Sequence, residues 1–241
     1  MPIMSWTPQA RPKRFYKLAE IREVDGGWTV CLDGRPIRTP AKAVFKAPEA
    51  VAEAAAAEWA AQAEEIAPDA MPVTRAVNSA IDRVAPQREL VIDDIAGYGG
   101  TDLLCYRAEA PTALIARQAD AWDPVIDWAC ERFDIRFVLA EGIMPAAQPP
   151  LTKAALRAEV AAYSDLGLTA LSDLTALSGS LLLALTVSHG RLTADAAWAA
   201  SRIDEEWQIE QWGRDEEADA VAARKQSDFF AAARLLSLIE A

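Results

Sequence analysis

One histidine, His189, serves the whole chain of 241 residues. That scarcity leaves no H-E-x-x-H pair, no E-x-x-H pair and no Cys/His zinc set, since such sites draw on two or more His or Cys at fixed spacing. His189 stands before Gly190 at an expected helix end, where the helix dipole favours a positive ring, so it reads as a cap. Cysteine is scarce as well. Cys31, Cys105 and Cys130 are odd in number and form no C-x-x-C pair, which reads as reduced thiols in a reducing compartment. No G-x-x-x-x-G-K phosphate loop and no G-x-G-x-x-G turn occurs. Ser178-Gly179-Ser180 lacks the G-x-S-x-G elbow and lies in a Leu-rich run where small residues permit close packing. Gly99-Gly100-Thr101-Asp102 reads as an ordinary turn. Basic charge is also short: the net charge of −12 argues against binding a phosphate backbone. The most apolar window, Leu168 to Val187, carries Asp173 and several Ser and Thr, so the expectation is a buried core helix and no membrane insertion. The first residues show no signal-peptide run, and few residues precede the first strand. The expected location is the bacterial cytoplasm, or the mitochondrial matrix if the chain is eukaryotic.

What is present is globular. Hydrophobic residues make up 52% and charged residues 25%, enough apolar content for a substantial core. Strand signals fill residues 15–47: Phe15 to Ile21, a turn at Asp25-Gly26-Gly27, Trp28 to Leu32, a turn at Asp33-Gly34, Arg35 to Thr39, and Val44 to Ala47 as a fourth strand. From Pro48 the period becomes helical. Val51, Ala55, Trp59, Gln62 and Ile66 share one face, with Glu49, Glu53, Glu58, Glu64 and Glu65 on the other. Helices are expected over 72–84, 89–98 and 112–133, the last with either a kink or a junction at Asp123-Pro124. A stray strand is expected at 137–139 and a linker at 145–150. Further helices follow over 152–163, over 169–188, and from the cap Thr193 onward. The expected fold class is α+β, with a small N-terminal antiparallel β domain at 1–47 and a larger helical domain at 48–241.

Charge is unevenly spread. Arg11, Lys13, Arg14 and Lys17 precede the first strand, whereas Asp204 to Asp219 holds eight acids against one Arg, a local net of −7. If 201–217 is one helix, residues advance by about 100° each. Trp198, Glu205, Ile209, Trp212 and Glu216 then fall on one stripe, with Ile203 and Trp207 nearly opposite. On one reading this stripe packs in the core and Glu216 pairs internally. On the other it is an open face: Trp supplies buried area on binding and a carboxylate accepts a bidentate Arg, a mixture suited to another protein. Gly213 marks a kink or a close approach within the pattern.

Several ordered motifs resemble one family. Met71-Pro72-Val73-Thr74-Arg75 through Asn78-Ser79-Ala80-Ile81-Asp82 is similar to its M-P-x-T-R…N-x-A-I-D segment. Tyr98 with Thr101-Asp102-Leu103-Leu104-Cys105-Tyr106-Arg107 and then Pro111 resembles its Y-x-x-T-D-x-x-C-Y-R run. Gln118 with Trp122-Asp123-Pro124 and Trp128 resembles its Q-x-x-x-W-D-P-x-x-x-W segment, and Glu206-Trp207-Gln208-Ile209 with Trp212-Gly213 its E-x-Q-I…W-G motif. Arg14-Phe15-Tyr16-Lys17 and Asp33-Gly34-Arg35 also fit. The family is the assembly chaperone of the ATP synthase α subunit, and the likeness spans roughly residues 13 to 225. Mitochondrial members continue after W-G toward V-E and a nearby His. Here Arg214-Asp215-Glu216-Glu217 follows without a His, and Glu216 matches the family acid best.

The resemblance implies a small β domain, a helical domain, and transient binding of the free α subunit until assembly, by a monomer without cofactor or catalysis. The partner-binding candidates are Glu205, Ile209, Trp212 and Glu216, while Trp59, Trp122 and Trp128 are expected to organise the fold. Two other readings stand beside it. One is a hydrolase using paired carboxylates and a divalent metal; the other is a permanent structural subunit.

Overall fold

A computed structural model describes residues 12–142 and 146–239. Arg11, the opening residues read for a leader, and Pro145 of the expected linker lie outside them. The fold is α+β: a small antiparallel sheet comes first and helices dominate the rest.

The sheet has three strands in the order β1 (Ala19–Val24), β2 (Gly27–Leu32), β3 (Arg35–Pro36). Val24 pairs with Gly27 across Asp25-Gly26, so the hairpin closes where the Asp-Gly-Gly signal placed it. Gly27 is required there. Its φ is +151°, and a Cβ would stand 2.9 Å from the Ala47 carbonyl oxygen. The first strand starts later than the alternation predicts. The Asp33 carboxylate accepts from the Lys17 and Leu18 amides at 3.1 and 2.9 Å, which takes those donors out of the ladder. The fourth strand expected at 44–47 is not formed as a strand. Only the bridges Arg38–Val44 and Trp28–Ala47 remain, because Thr39-Pro40 turns tightly, with Lys42 donating back to the Thr39 carbonyl at 2.8 Å.

A three-stranded sheet needs a cover for its apolar face, and α1 (Glu49–Ala60) supplies it, burying Val51, Ala52 and Ala55 against β1 and β2. The helix stops at Ala60, but Gln62 and Ile66 continue the buried side as expected. Glu58, read as a solvent-face acid, instead caps the next helix, α2 (Pro72–Ser79). Its two oxygens accept from the Val73 and Thr74 amides at 2.7 and 2.8 Å. Pro72 brings no donor of its own, so the Met-Pro-Val-Thr start leaves two amides in need of an acceptor and one carboxylate takes both. Because the sheet depends on α1, the first compact unit runs to Asn78 and the second begins at Ser79, not at the change of period near 47/48.

In the second unit a π-helical turn (Ala80–Val84) leads to α3 (Arg88–Gly97) and, after short turns, to β4 (Tyr106–Arg107). The helix α4 (Thr112–Phe133) is a single element through Pro124, so Asp123-Pro124 is not a junction. The fully buried Trp122 ties α4 inward by donating its indole N–H to the Ala200 carbonyl at 2.8 Å. The stray strand falls at β5 (Ala140–Glu141), parallel to β4, just beyond its expected place.

α5 (Pro150–Ala161) precedes α6 (Asp165–Ser178) and α7 (Leu181–Ser188). One helix was expected over 169–188. Gly179 breaks it at φ +71°, and the Ser180 hydroxyl caps α7 by accepting from the Leu183 amide at 3.0 Å. Leu181, Leu182, Leu183, Ala184 and Leu185 have no exposed surface, so the first five residues of α7 are apolar and enclosed all round. His189 is the α7 C-cap, with its Nε2 2.8 Å from Glu159.

Asp102 links the start of α7 to the turn at 103–105. Its carboxylate, with no exposed surface, accepts from Leu104 N, Leu182 N and Ser180 Oγ at 3.1, 3.0 and 2.7 Å. Burial pushes its pKa up to about 6, against the pull of those donors. No described helix is long and apolar enough to cross a membrane.

Candidate functional site

The acidic tail is three helices, not one. α8 (Ala194–Ser201) starts at Thr193, whose hydroxyl accepts from the Ala196 amide at 3.2 Å, as its sequence position predicts. The chain steps at Arg202 (φ −107°, ψ 7°) into α9 (Ile203–Trp212). It turns again at Gly213 (φ 92°, ψ 173°) before α10 (Glu216–Ile239). A Cβ on Gly213 would meet nothing within 4 Å, so this glycine is needed for its backbone angles and not for a close approach. Asp215 then caps α10, accepting from the Glu217 and Ala218 amides at 2.8 and 3.0 Å.

These two breaks divide the stripe expected on a continuous helix. Trp198 stays in α8 and is buried against Phe229 of α10, with ring centroids 5.5 Å apart. Glu205, Ile209 and Trp212 remain together on α9. Glu216 lies past the glycine at the first residue of α10. The side read as opposite is the anchored one. Ile203 is buried, and Trp207 is half-buried beneath the Arg117 guanidinium, 5.1 Å from its ring centroid. Arg117 also donates to both Glu210 oxygens, at 2.8 and 3.0 Å, and the neighbouring Gln118 amide donates to Asp204 at 2.7 Å. α9 is therefore clasped to α4 along one side.

Its other side is open. Trp212 is 80% exposed, Glu205 and Glu216 are exposed, and Ile209 is half-buried. Glu205, Ile209 and Trp212 line a groove of about 400 Å³ between α9 and α10, opposite Asp215, Asp219 and Val221. Glu216 is not part of that lining. Two acids at the groove have internal cations: Glu205 meets Arg202 at 3.2 Å, and Asp219 meets Arg214 at 3.1 Å. Glu206, Glu216 and Glu217 have no cation partner among the described residues. The internal pairing imagined for Glu216 is absent among them.

A second groove, of about 870 Å³, runs between α4 and α8. It is walled by Ala121, Pro124, Val125, Ala196 and Ala199, with Arg117, Asp120 and Arg191 at its polar margin. Sequence reading did not find it, because its walls are small residues that look like ordinary helix filler. Among the described residues no group of three or more His, Cys, Asp or Glu converges where it could hold a metal ion.

The model of the ATP12 chaperone protein family matches residues 13–130. The crystal structure of Atp12 from Paracoccus denitrificans is 49% identical, covers 95% of this chain and 98% of its own, and superposes with a TM-score of 0.92. The chain belongs to the ATP12 chaperone family. An Asp-to-Lys mutant of the Paracoccus protein matches with the same identity, coverage and TM-score. A putative chaperone from Agrobacterium tumefaciens is 46% identical over 94% of this chain and 85% of its own, with a TM-score of 0.90. The mitochondrial protein atp12 of Schizosaccharomyces pombe is 23% identical over 95% of this chain and 84% of that protein. The ATP12 family model ends inside α4, so the α9–α10 groove lies outside the residues it matches.

Proposed function

We propose that this ATP12 family member is an assembly chaperone of the ATP synthase, and that it holds the free α subunit through the open side of α9 and the start of α10. The observation that carries the reading is Trp212, 80% exposed beside a groove whose surrounding carboxylates outnumber their cations. A large indole in water gains from burial, and an unpaired carboxylate gains from an incoming Arg or Lys. An unassembled subunit exposes apolar surface that associates non-specifically. Covering that surface requires contact but no chemistry. A micromolar constant, about −8 kcal/mol, allows both protection and release. The chain acts as a monomer, in the bacterial compartment where the catalytic sector is built.

Light scattering of purified α subunit, alone and with an equimolar amount of this chain, tests the proposal. Suppressed aggregation supports it, and unchanged aggregation overturns it. Co-purification with the finished enzyme would instead mark a permanent subunit. Glu216→Lys weakens protection without unfolding the chain; protection equal to wild type moves the contact away from Glu216.

A further inference from the structure

The first unit holds a site of opposite chemistry. Between residues 12 and 47, eight Lys and Arg face four Asp and Glu, a net of +4 in a chain whose total is −12. A cleft of about 470 Å³ opens there, walled by Phe15, Pro36, Ile37 and Trp59 and flanked by Arg35 and Arg38. Phe15 is 73% exposed, although its ring meets Tyr16 edge-on at 5.3 Å.

Neither guanidinium flanking this cleft forms an ion pair among the described residues. Arg35 is exposed and has no partner among the described residues. Arg38 is exposed and, among the described residues, its side chain donates only to the Lys42 carbonyl, at 2.9 Å. Nearby Arg14 donates to the carbonyls of Tyr16, Lys17, Ala60 and Gln62, and its charge also helps hold the Asp33 carboxyl below its ordinary range. Asp33 is the one acid in the lining, and it is engaged by the Lys17 and Leu18 amides. Guanidinium groups beside an uncovered aromatic ring fit a ligand carrying carboxylates next to apolar side chains. Residues 1–11 contain no Asp or Glu and cannot supply those carboxylates.

We infer that the Phe15–Arg35–Arg38 cleft docks an acidic segment of the client polypeptide, a second contact whose charge is the reverse of the α9–α10 groove. This rests on the reading of the chain as a client-holding chaperone. A phosphate backbone fits less well, since two free guanidiniums neutralise few phosphates and the rest of the chain repels a polyanion. A client gripped by one acidic and one basic contact is recognised by its charge order as well as by its apolar surface.

Fluorescence polarisation at low ionic strength tests this with a labelled peptide of alternating Glu and Phe, its Lys and Phe counterpart, and a single-stranded oligothymidylate. The Glu peptide binds the full chain. Arg35→Glu with Arg38→Glu weakens it at least about tenfold, and Arg35→Gln with Arg38→Gln weakens it less. Trp212→Ala with Glu216→Lys leaves that binding unchanged, which separates this contact from the groove of the second unit. Melting temperature confirms that the exposed substitutions leave the fold intact. Equal binding of the Glu and Lys peptides, or Glu-peptide binding indifferent to both Arg pairs, overturns the inference. Tighter binding of the oligothymidylate overturns it in favour of nucleic acid. Salt-sensitive self-association in sedimentation, lost with the Arg pair, overturns it in favour of a second copy.

Discussion

Arg117 and Glu210, 93 residues apart, meet through two parallel N–H···O bonds, and the same guanidinium covers the ring of Trp207. This one side chain holds α9 to α4 by charge on one edge and by its flat face on the other. The contact keeps the Glu210 carboxyl below the usual carboxylate range, chiefly through the Arg117 hydrogen bond. Its contribution is present above the unfolded carboxylate pKa and is lost as pH falls through the lowered one. Both groups face water, so Arg117→Ala is expected to change the melting temperature little. Its effect appears locally, as faster hydrogen exchange at α9 amides and weaker client protection. Unchanged α9 exchange would show that the clasp does not hold the helix.

The pH dependence at Asp102 has the opposite sign. Burial raises its folded pKa to about 6 from an ordinary 3.8, so between those values the folded state binds the proton more tightly than the unfolded chain does. The stability tied to that proton is fully present below the lower value and is lost as pH rises through the upper one. Melting curves of wild type and Asp102→Asn across that window are expected to show wild type losing ground to the variant with rising pH. Asp102→Ala leaves the Leu104, Leu182 and Ser180 donors without their acceptor and costs about 3 kcal/mol or more.

Glu58→Ala removes the acceptor shared by the Val73 and Thr74 amides at the start of α2. Loss of such a cap costs about 1–2 kcal/mol, read as a lower denaturant midpoint at unchanged slope. Glu58→Gln keeps one carbonyl acceptor and loses less.

Gly213→Ala places a Cβ in free space but at backbone angles that side chains avoid. The strain is about 1–3 kcal/mol if the turn is kept. Crystallography of the variant is expected to show the α9–α10 junction rearranged, and light scattering to show reduced protection. A native junction with full activity would show that the angle between the two helices is not needed.

Trp212→Ala touches a ring that is already 80% exposed, so stability should hold while protection of the α subunit falls. Scattering and melting data on the same sample separate the two effects.

Much of this architecture could be read from residue order. The Asp-Gly-Gly hairpin, the buried side of α1, the Thr193 cap and the apolar run around Leu183 follow from local pattern. The breaks at Arg202 and Gly179 did not. Arg202 is an ordinary helix former, and the glycine was masked by leucines on both sides. The roles of Glu58 and Asp102 were missed for a different reason. Each satisfies amides distant in sequence, and only the fold brings those donors to it. At the candidate site the aromatic and acidic content was visible in advance. The separation of Glu216 from Ile209 and Trp212 depended on a single pair of backbone angles.

α10 is seated most deeply at one end. Phe229, Ala232, Leu235 and Leu236 are buried on the side toward α6, while residues 216–218 at its start are exposed. From Asp215 to Phe229 the rise is about 20 Å at 1.5 Å per residue. A helix fixed this way is a lever: force applied at its tip, where the client contact is proposed, would be borne by Phe229 and its neighbours. In the proposed client contact, the stiffness of the grip would be set in the core, by side chains away from the contact itself.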